Sequence, residues 1–282
     1  MKCDLCPRKC LVDRKKGEKG ICGQTENLKV ARAALHFWEE PCISGDAGSG
    51  AVFFSGCPLH CVFCQNENIA NGTVGKEISL ERLVDIFLEL QEKRANNINL
   101  VTPGHFVPQI VKALDQARKE GLTLPVVYNT SSYETVDTIK MLEGYVDIYL
   151  PDFKYMSPVL SKKYSHAPDY AEVAKAAIAE MVRQTGKAVF VNGEEDNLIL
   201  SGTIVRHLTL PGCMADSMQI VKYLHDTYGD KIYISIMNQF TPLSNLEKYP
   251  ELNRRITDEE YETLVDYAID IGIENGFIQE GD

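Results

Sequence analysis

From Ala51 onward the chain alternates six times between a short apolar run and a longer stretch whose apolar residues fall three and four apart. That alternation admits few folds. Each run has the length of a buried strand, and each stretch has the period of an amphipathic helix. Their order implies a parallel sheet with right-handed crossovers. Strands are predicted over 51–56, 97–102, 124–128, 146–150, 203–208 and 231–236, and helices over 79–92, 107–119, 133–142, 170–184, 215–228 and 258–271. Ser79 and Thr257 stand where they would cap the first and last helices, and Gly121 where it would end the second. Six units are too few to close an eightfold barrel. The expected architecture is therefore α/β, an open partial (β/α)6 barrel. One segment breaks the rhythm: 187–201 carries two apolar runs around Asn192-Gly193, with an acidic stretch behind the turn. A hairpin insertion is expected there, ahead of the fifth strand.

Residues 1–50 are different in kind. They are rich in Cys, Gly and Lys, with little periodicity. The chain thus divides into 1–50, a small loop-rich module and linker ordered by a metal, and 51–282, the barrel. The formal net charge is −11. Such an acidic surface speaks against nucleic acid, whose phosphates need clustered Lys and Arg. No apolar run approaches the roughly 20 residues that span a bilayer, and the first residues lack the apolar core of a signal peptide. A cytoplasmic protein with no membrane partner is expected.

In that compartment the nine cysteines are not expected to form stable disulfides. Cys3, Cys6, Cys10 and Cys22 crowd the N-terminus, Cys57, Cys61 and Cys64 form a second group, and Cys42 and Cys213 stand apart as buried or free thiols. The second group follows the first predicted strand directly, on the face where parallel barrels bind ligands. A structural zinc site takes four protein ligands. Three thiolates from one loop suit a 4Fe–4S cubane with its fourth iron open to a small molecule. The N-terminal set is a complete group of four thiolates, with Gly17, Gly20 and Gly23 easing the return of its loop. Zinc would make it a structural knuckle and an auxiliary iron–sulfur cluster an electron relay or substrate anchor; zinc is preferred because the set needs no open position.

The segment VFFSGCPLHCVFCQN, with the aromatic Phe63 before the last cysteine, resembles the radical S-adenosylmethionine (radical SAM) superfamily. CDLCPRKC, HFWEEPCISG, INLVTPGHF, YNTSSYE, DIYLPDFKY, IVRHLTLPG and ENGFIQEG extend the resemblance, over essentially the whole chain, to the pyruvate formate-lyase activating enzymes. The resemblance implies a cluster on Cys57, Cys61 and Cys64 whose open iron chelates SAM. Electron transfer then yields methionine and a 5′-deoxyadenosyl radical that takes hydrogen from a backbone glycine of a glycyl-radical enzyme. It also implies an electron donor such as a flavodoxin or ferredoxin.

By resemblance Asp152 accepts from the SAM ammonium and Lys154 pairs with its carboxylate; a salt bridge at a strand end is the plainer alternative. Asn129 and Ser131 are placed to bind the SAM ribose, though Asn and Ser are also ordinary turn residues. Phe63 and Gln239 are further cofactor-contact candidates. Arg206 resembles the family's site arginine, and alternation lets only one of Arg206 and His207 face the interior. Related activators carry Gly-Gly-Glu after the second strand. This chain has Val101-Thr102-Pro103 instead, leaving Thr102 to offer a hydroxyl or carbonyl. His105 is either a helix-initiating residue or catalytic. Trp38, Glu39 and Glu40 are expected at the seam between module and barrel, Trp38 through packing. Three functions fit: glycyl-radical activation, radical SAM chemistry on a small molecule or another protein side chain, and a non-catalytic iron–sulfur or zinc scaffold.

Overall fold

The order of elements follows from where the apolar runs fall. A computed structural model describes residues 2–193, 197–243 and 246–279. In its first half the elements are β1 (Lys29–His36), α1 (Pro41–Ser44), β2 (Ser49–Phe54), α2 (Glu67–Ala70), β3 (Lys76–Glu77), α3 (Leu80–Glu92), β4 (Ile98–Val101), α4 (Val107–Lys119), β5 (Val126–Thr130), α5 (Val136–Lys140) and β6 (Ile148–Pro151). Then come α6 (Pro158–Ser165), α7 (Tyr170–Thr185), β7 (Val189–Phe190), β8 (Ile199–Leu208), α8 (Met214–Tyr228), β9 (Tyr233–Met237), α9 (Asp258–Asp270) and β10 (Gly276–Ile278).

All six predicted strands form, as β2, β4, β5, β6, β8 and β9, and pair in parallel in that order. β10 adds a further parallel strand beside β9. At the other end β1 lies antiparallel to β2, and β3 antiparallel to β1. The sheet runs from β3 to β10 without those edges meeting, so the barrel is open. The predicted caps are present: Ser79 accepts the Arg82 N–H, and Thr257 and Glu260 form a reciprocal capping box. Each contributes about 1 kcal/mol to its helix. Gly121, at φ +105°, follows α4.

Three expectations are corrected. Residues 29–36 form a strand although they lack an alternating apolar pattern, because β2 supplies a paired edge along their whole length. The helix expected over 133–142 starts only at Val136, because the Thr135 hydroxyl accepts the Thr138 N–H and fixes the first turn there. The hairpin exists, with Val189 opposite Ser201 and Phe190 opposite Ile199. Its second arm does not precede the fifth core strand but is its first half, joined through Gly202 at φ +145°. Asn192 takes the left-handed turn conformation, while the acidic stretch 194–196 lies outside the described residues.

Alternation along the strands sorts side chains to two faces. Val52, Phe54, Ile98, Leu100, Val126 and Tyr128 point outward and pack with Leu83, Phe87, Ile110 and Leu114 of α3 and α4. Inside, Val127, Ile148, Leu150, Ile204 and Tyr233 make an apolar floor closed by Cys42 and Ile43 of α1 and by Phe190. Above that floor the inward positions turn polar: Asn99, Asn129, Arg206 and Ser235. Among the described residues no helix is long and apolar enough to cross a membrane.

Candidate metal and cofactor site at the barrel mouth

The chain leaves β2 through Ser55 and Gly56 and enters the cysteine loop. Gly56 has φ +89°, and a Cβ there would stand 2.3 Å from the Cys22 carbonyl oxygen, so only glycine fits. Burial pushes the Cys57 thiol up to about 12 and Cys64 up to about 11, and in both the neighbouring Cys61 pushes further the same way. Burial is the larger cause in both, and the charge of Cys61 adds to it. The Leu59 N–H points at Cys57 Sγ at 3.4 Å, and the Ser165 hydroxyl at Cys61 Sγ at 3.1 Å. Phe63 is buried, its ring edge-on to Tyr155, Tyr164 and Phe240. That packing anchors the loop.

Among the described residues, no three His, Cys, Asp or Glu side chains are already drawn together as a metal cage. The donor set nonetheless fits an iron–sulfur cluster. Three clustered thiols, disfavoured as free thiolates, are stabilised as thiolates by a multivalent cation, and N–H and O–H groups already point at two of the sulfurs.

Across the mouth stands a chain of charges. Asp152 follows β6 and bridges to Arg206 on β8. Its Oδ1 accepts from Arg206 Nε at 2.9 Å and its Oδ2 from Lys154 Nζ at 2.6 Å. Burial alone would raise the Asp152 carboxyl, but the two cations outweigh it and hold it below the usual range. Lys154 is raised in turn: burial lowers it, and the charges of Asp152 and Cys61 more than compensate. Lys154 is thus coupled electrostatically to the cysteine loop as well as to Asp152. Arg206 uses its other nitrogens on Glu39 Oε2 at 2.9 Å and Asn129 Oδ1 at 2.7 Å. Asn129 and Asn99 both donate to Glu39 Oε1, at 3.2 and 3.1 Å. Glu40 is buried beside Arg206 and faces Ser235. Among the described residues, no hydrogen bond of good geometry reaches Glu40 Oε2, Asn99 Oδ1 or Ser235 Oγ.

Arg206 faces the interior as alternation requires. His207 faces outward, bonded to the Phe153 carbonyl and the Ser217 hydroxyl. Thr102 holds φ +55°, a conformation a β-branched residue rarely adopts. Its N–H donates to the Asn129 carbonyl at 2.9 Å, which places it beside the polar network. Ser131 is half-buried, its carbonyl 2.8 Å from the Tyr170 hydroxyl, which also receives the Lys154 N–H. Gln239 is exposed, and its carbonyl accepts from Gln65, next to Cys64. His105 lies in the turn that starts α4. Its Nε2 donates to the Ser55 carbonyl at 2.7 Å, Nδ1 has no partner, and burial pushes its pKa down to about 3. Among the described residues, no hydrogen bond from its ring reaches the Asp152–Arg206 network.

At the N-terminus, burial pushes the Cys6 thiol up to about 12, and Cys22 and Cys10 add to it; Cys22 is raised the same way, with Cys3 and Cys10 contributing. The Ile21 N–H points at Cys10 Sγ. Cys6 and Cys22 each feel Cys10, and Cys22 also feels Cys3, while no three of these thiols are drawn into a metal cage among the described residues. Cys42 is buried in the floor, and Cys213 precedes α8. The expected packing of Trp38 is overturned: the side chain is 80% exposed, because Glu39, its neighbour, takes the inward position. Glu39, Asn99 and Ser165 were not singled out as site residues from the sequence. A polar Asn at an inward strand position between Ile98 and Leu100 was the available signal for Asn99. Glu39 reaches the site only through the path of the β1–α1 connection.

The family model described as the radical SAM superfamily matches residues 51–198, more than half of the chain. An uncharacterized protein of Methanocaldococcus jannaschii is 28% identical over 272 residues, covering 94% of this chain and 74% of that protein. Among solved structures, a radical SAM methyltransferase from Sphaerobacter thermophilus is similar with TM-score 0.55 at 14% identity, over 82% of this chain and 66% of that one. Streptococcus suis SuiB bound to S-adenosylmethionine is similar with TM-score 0.54 at 13% identity, over 79% of this chain. The present chain spans 48% of SuiB, about half its length. At these identities the likeness is one of fold.

Proposed function

The chain belongs to the radical SAM superfamily, and from that premise we propose that its barrel mouth cleaves SAM to generate a glycyl radical on a partner enzyme. Membership implies a 4Fe–4S cluster and SAM. Cys57, Cys61 and Cys64 would hold the cluster, which supplies the electron that splits the sulfonium bond. The observation that carries this reading is the convergence of the cysteine loop and the Asp152–Lys154–Arg206 ion pairs on one mouth.

The protein's residues have distinct tasks. Lys154 presents a buried ammonium, suited to the carboxylate of the SAM methionine. Asp152 suits its ammonium, and Arg206 keeps Asp152 ionised. Asn129 and Ser131 lie beside this pair, where a ribose would hydrogen-bond. The strained Thr102 stands where the activators carry Gly-Gly-Glu, and its hydroxyl or carbonyl would accept from the SAM ammonium in place of that motif. The open barrel edge admits an extended peptide loop carrying glycine, with a reduced flavodoxin or ferredoxin as the expected electron donor. Cys3, Cys6, Cys10 and Cys22 would hold a second metal, zinc by preference.

A second reading, a small-molecule substrate, draws on one observation: the Glu40, Asn99 and Ser235 atoms in the barrel interior without a hydrogen bond of good geometry, which offer acceptors to a compact donor-rich ligand. Incubation of the reduced protein and SAM with glycyl-radical enzymes of the same cell tests both readings. A doublet electron paramagnetic resonance (EPR) signal from a stable glycyl radical is expected. Its absence with all of them, together with turnover of a metabolite, would establish the second reading instead.

A further inference from the structure

Arg8, between Cys6 and Cys10, does not serve its own module. Its Nε donates to the Pro58 carbonyl at 2.9 Å, and NH2 reaches the Leu59 carbonyl at 3.5 Å. Both carbonyls lie between Cys57 and Cys61. The same guanidinium donates to the carbonyls of Ser165 at 2.9 Å and His166 at 2.6 Å. Ser165 is the residue whose hydroxyl points at Cys61 Sγ. The guanidinium also stacks over the Tyr133 ring, 5.0 Å from its centroid. One side chain therefore fixes both walls of the cysteine loop.

Two further contacts run the same way. His60, held at φ +52° between Cys57 and Cys61, donates from Nε2 to the Ile21 carbonyl at 2.8 Å. The Cys22 carbonyl fills the space where Gly56 lacks a Cβ. Cys6, Cys10 and Cys22 thus bring Arg8, Ile21 and the Cys22 carbonyl onto the residues that flank and separate Cys57 and Cys61. The loop has little regular structure of its own to hold this shape; its backbone ties include Gly56 N–H to the Ile69 carbonyl, Val62 N–H to the Tyr164 carbonyl and Cys64 N–H to the Cys61 carbonyl.

We infer that Arg8 is a positioning residue: the N-terminal four-cysteine module, once it binds its metal, acts through Arg8 to hold the Cys57–Cys61–Cys64 loop in the shape that retains its cluster. This rests on Cys57, Cys61 and Cys64 being the cluster ligands and on Cys3, Cys6, Cys10 and Cys22 holding the proposed second metal. It makes the two metal sites unequal, the first a frame on which the second depends, and it requires no electron transfer between them.

The test uses the full-length protein reconstituted anaerobically, with Arg8→Ala, Arg8→Lys and Cys6→Ala/Cys10→Ala variants. The readouts are iron loss to a ferrous chelator, the EPR spectrum of the reduced cluster with and without SAM, and metal content in a Cys57→Ala/Cys61→Ala/Cys64→Ala background. Charge-assisted bonds are individually strong, so their loss should speed opening of the loop about tenfold or more. Arg8→Ala should keep the N-terminal metal yet lose triad iron at that faster rate, with a broadened SAM-dependent spectrum. Arg8→Lys, whose ammonium cannot span both walls, should fall between, and Cys6→Ala/Cys10→Ala should reproduce the faster loss with Arg8 present. Wild-type iron retention and spectra in Arg8→Ala, or in Cys6→Ala/Cys10→Ala, would overturn the inference alone. A wild-type protein that binds no cluster on the triad would remove the underlying ligand assignment and the inference with it.

Discussion

Replacing Glu39 by Gln probes how the interior charges are balanced. Glu39 accepts from Arg206, Asn129 and Asn99 at 2.9, 3.2 and 3.1 Å. Its side chain is 8% exposed and that of Arg206 14%, so water screens the pair little. Gln keeps the shape and one acceptor oxygen, but it removes the charge and turns an N–H₂ toward a donor. A hydrogen bond to a charged group contributes about 1.5–3 kcal/mol. Arg206 retains Asp152 and Asn129, so it is not orphaned. The expected cost of Glu39→Gln is therefore about 2–4 kcal/mol, a large share of the roughly 5–15 kcal/mol that holds a domain folded. A double-mutant cycle separates the pair from its surroundings. In an Arg206→Met background the Glu39 charge has lost its cation and lies beside Glu40, so the same substitution should cost less than about 0.5 kcal/mol or stabilise. Urea denaturation followed by far-ultraviolet circular dichroism gives both numbers. A cost below about 0.5 kcal/mol in the wild-type background, or equal costs in both, would refute the reasoning.

Three other outcomes follow from the same geometry. Lys154→Ala should weaken SAM binding about ten- to hundredfold, the loss of one charge-assisted bond, while Asp152 stays paired to Arg206; unchanged affinity by calorimetry contradicts the assignment. Replacing Cys3, Cys6, Cys10 and Cys22 by Ser should remove one metal equivalent, zinc in elemental analysis; about four irons in its place would identify an auxiliary cluster. Burial pushes Glu134 from 4.5 to about 7, so its protonated form favours the folded state. That stability is complete below about 4.5, is lost as pH rises through 7, and amounts to about 3 kcal/mol. Glu134→Gln should flatten stability across this window, and an unchanged pH slope in denaturation would count against it.

The core was legible because parallel strands buried on both faces read as apolar runs, and the helices between them keep their period. Val107–Lys119 is the helix expected, residue for residue, since Gly121 ends it. β1 was not legible: its sequence KVARAALH leaves most positions half-exposed, so burial imposes no alternation. β10 escaped because three residues are too few to show a period. At the mouth, the cysteine loop, Asp152, Lys154 and Arg206 could be placed because each follows or ends a strand of known direction. Glu39 could not, since its position depends on the path of the connection between β1 and α1. Arg8 was invisible for the same reason: its partners lie about 50 and 158 positions away in the chain, and no local pattern encodes a contact at that separation.

The central claim is that Cys57, Cys61 and Cys64 with the charged mouth around Asp152 make a SAM-cleaving site. Anaerobically reconstituted protein should be mixed with SAM and a strong reductant, and 5′-deoxyadenosine and methionine quantified by chromatography. The account predicts both products in equal amounts from the wild-type protein and none from the Cys57→Ala/Cys61→Ala/Cys64→Ala variant. Equal 5′-deoxyadenosine from the two proteins, or none from a wild-type protein carrying its full complement of iron and sulfide, would contradict it.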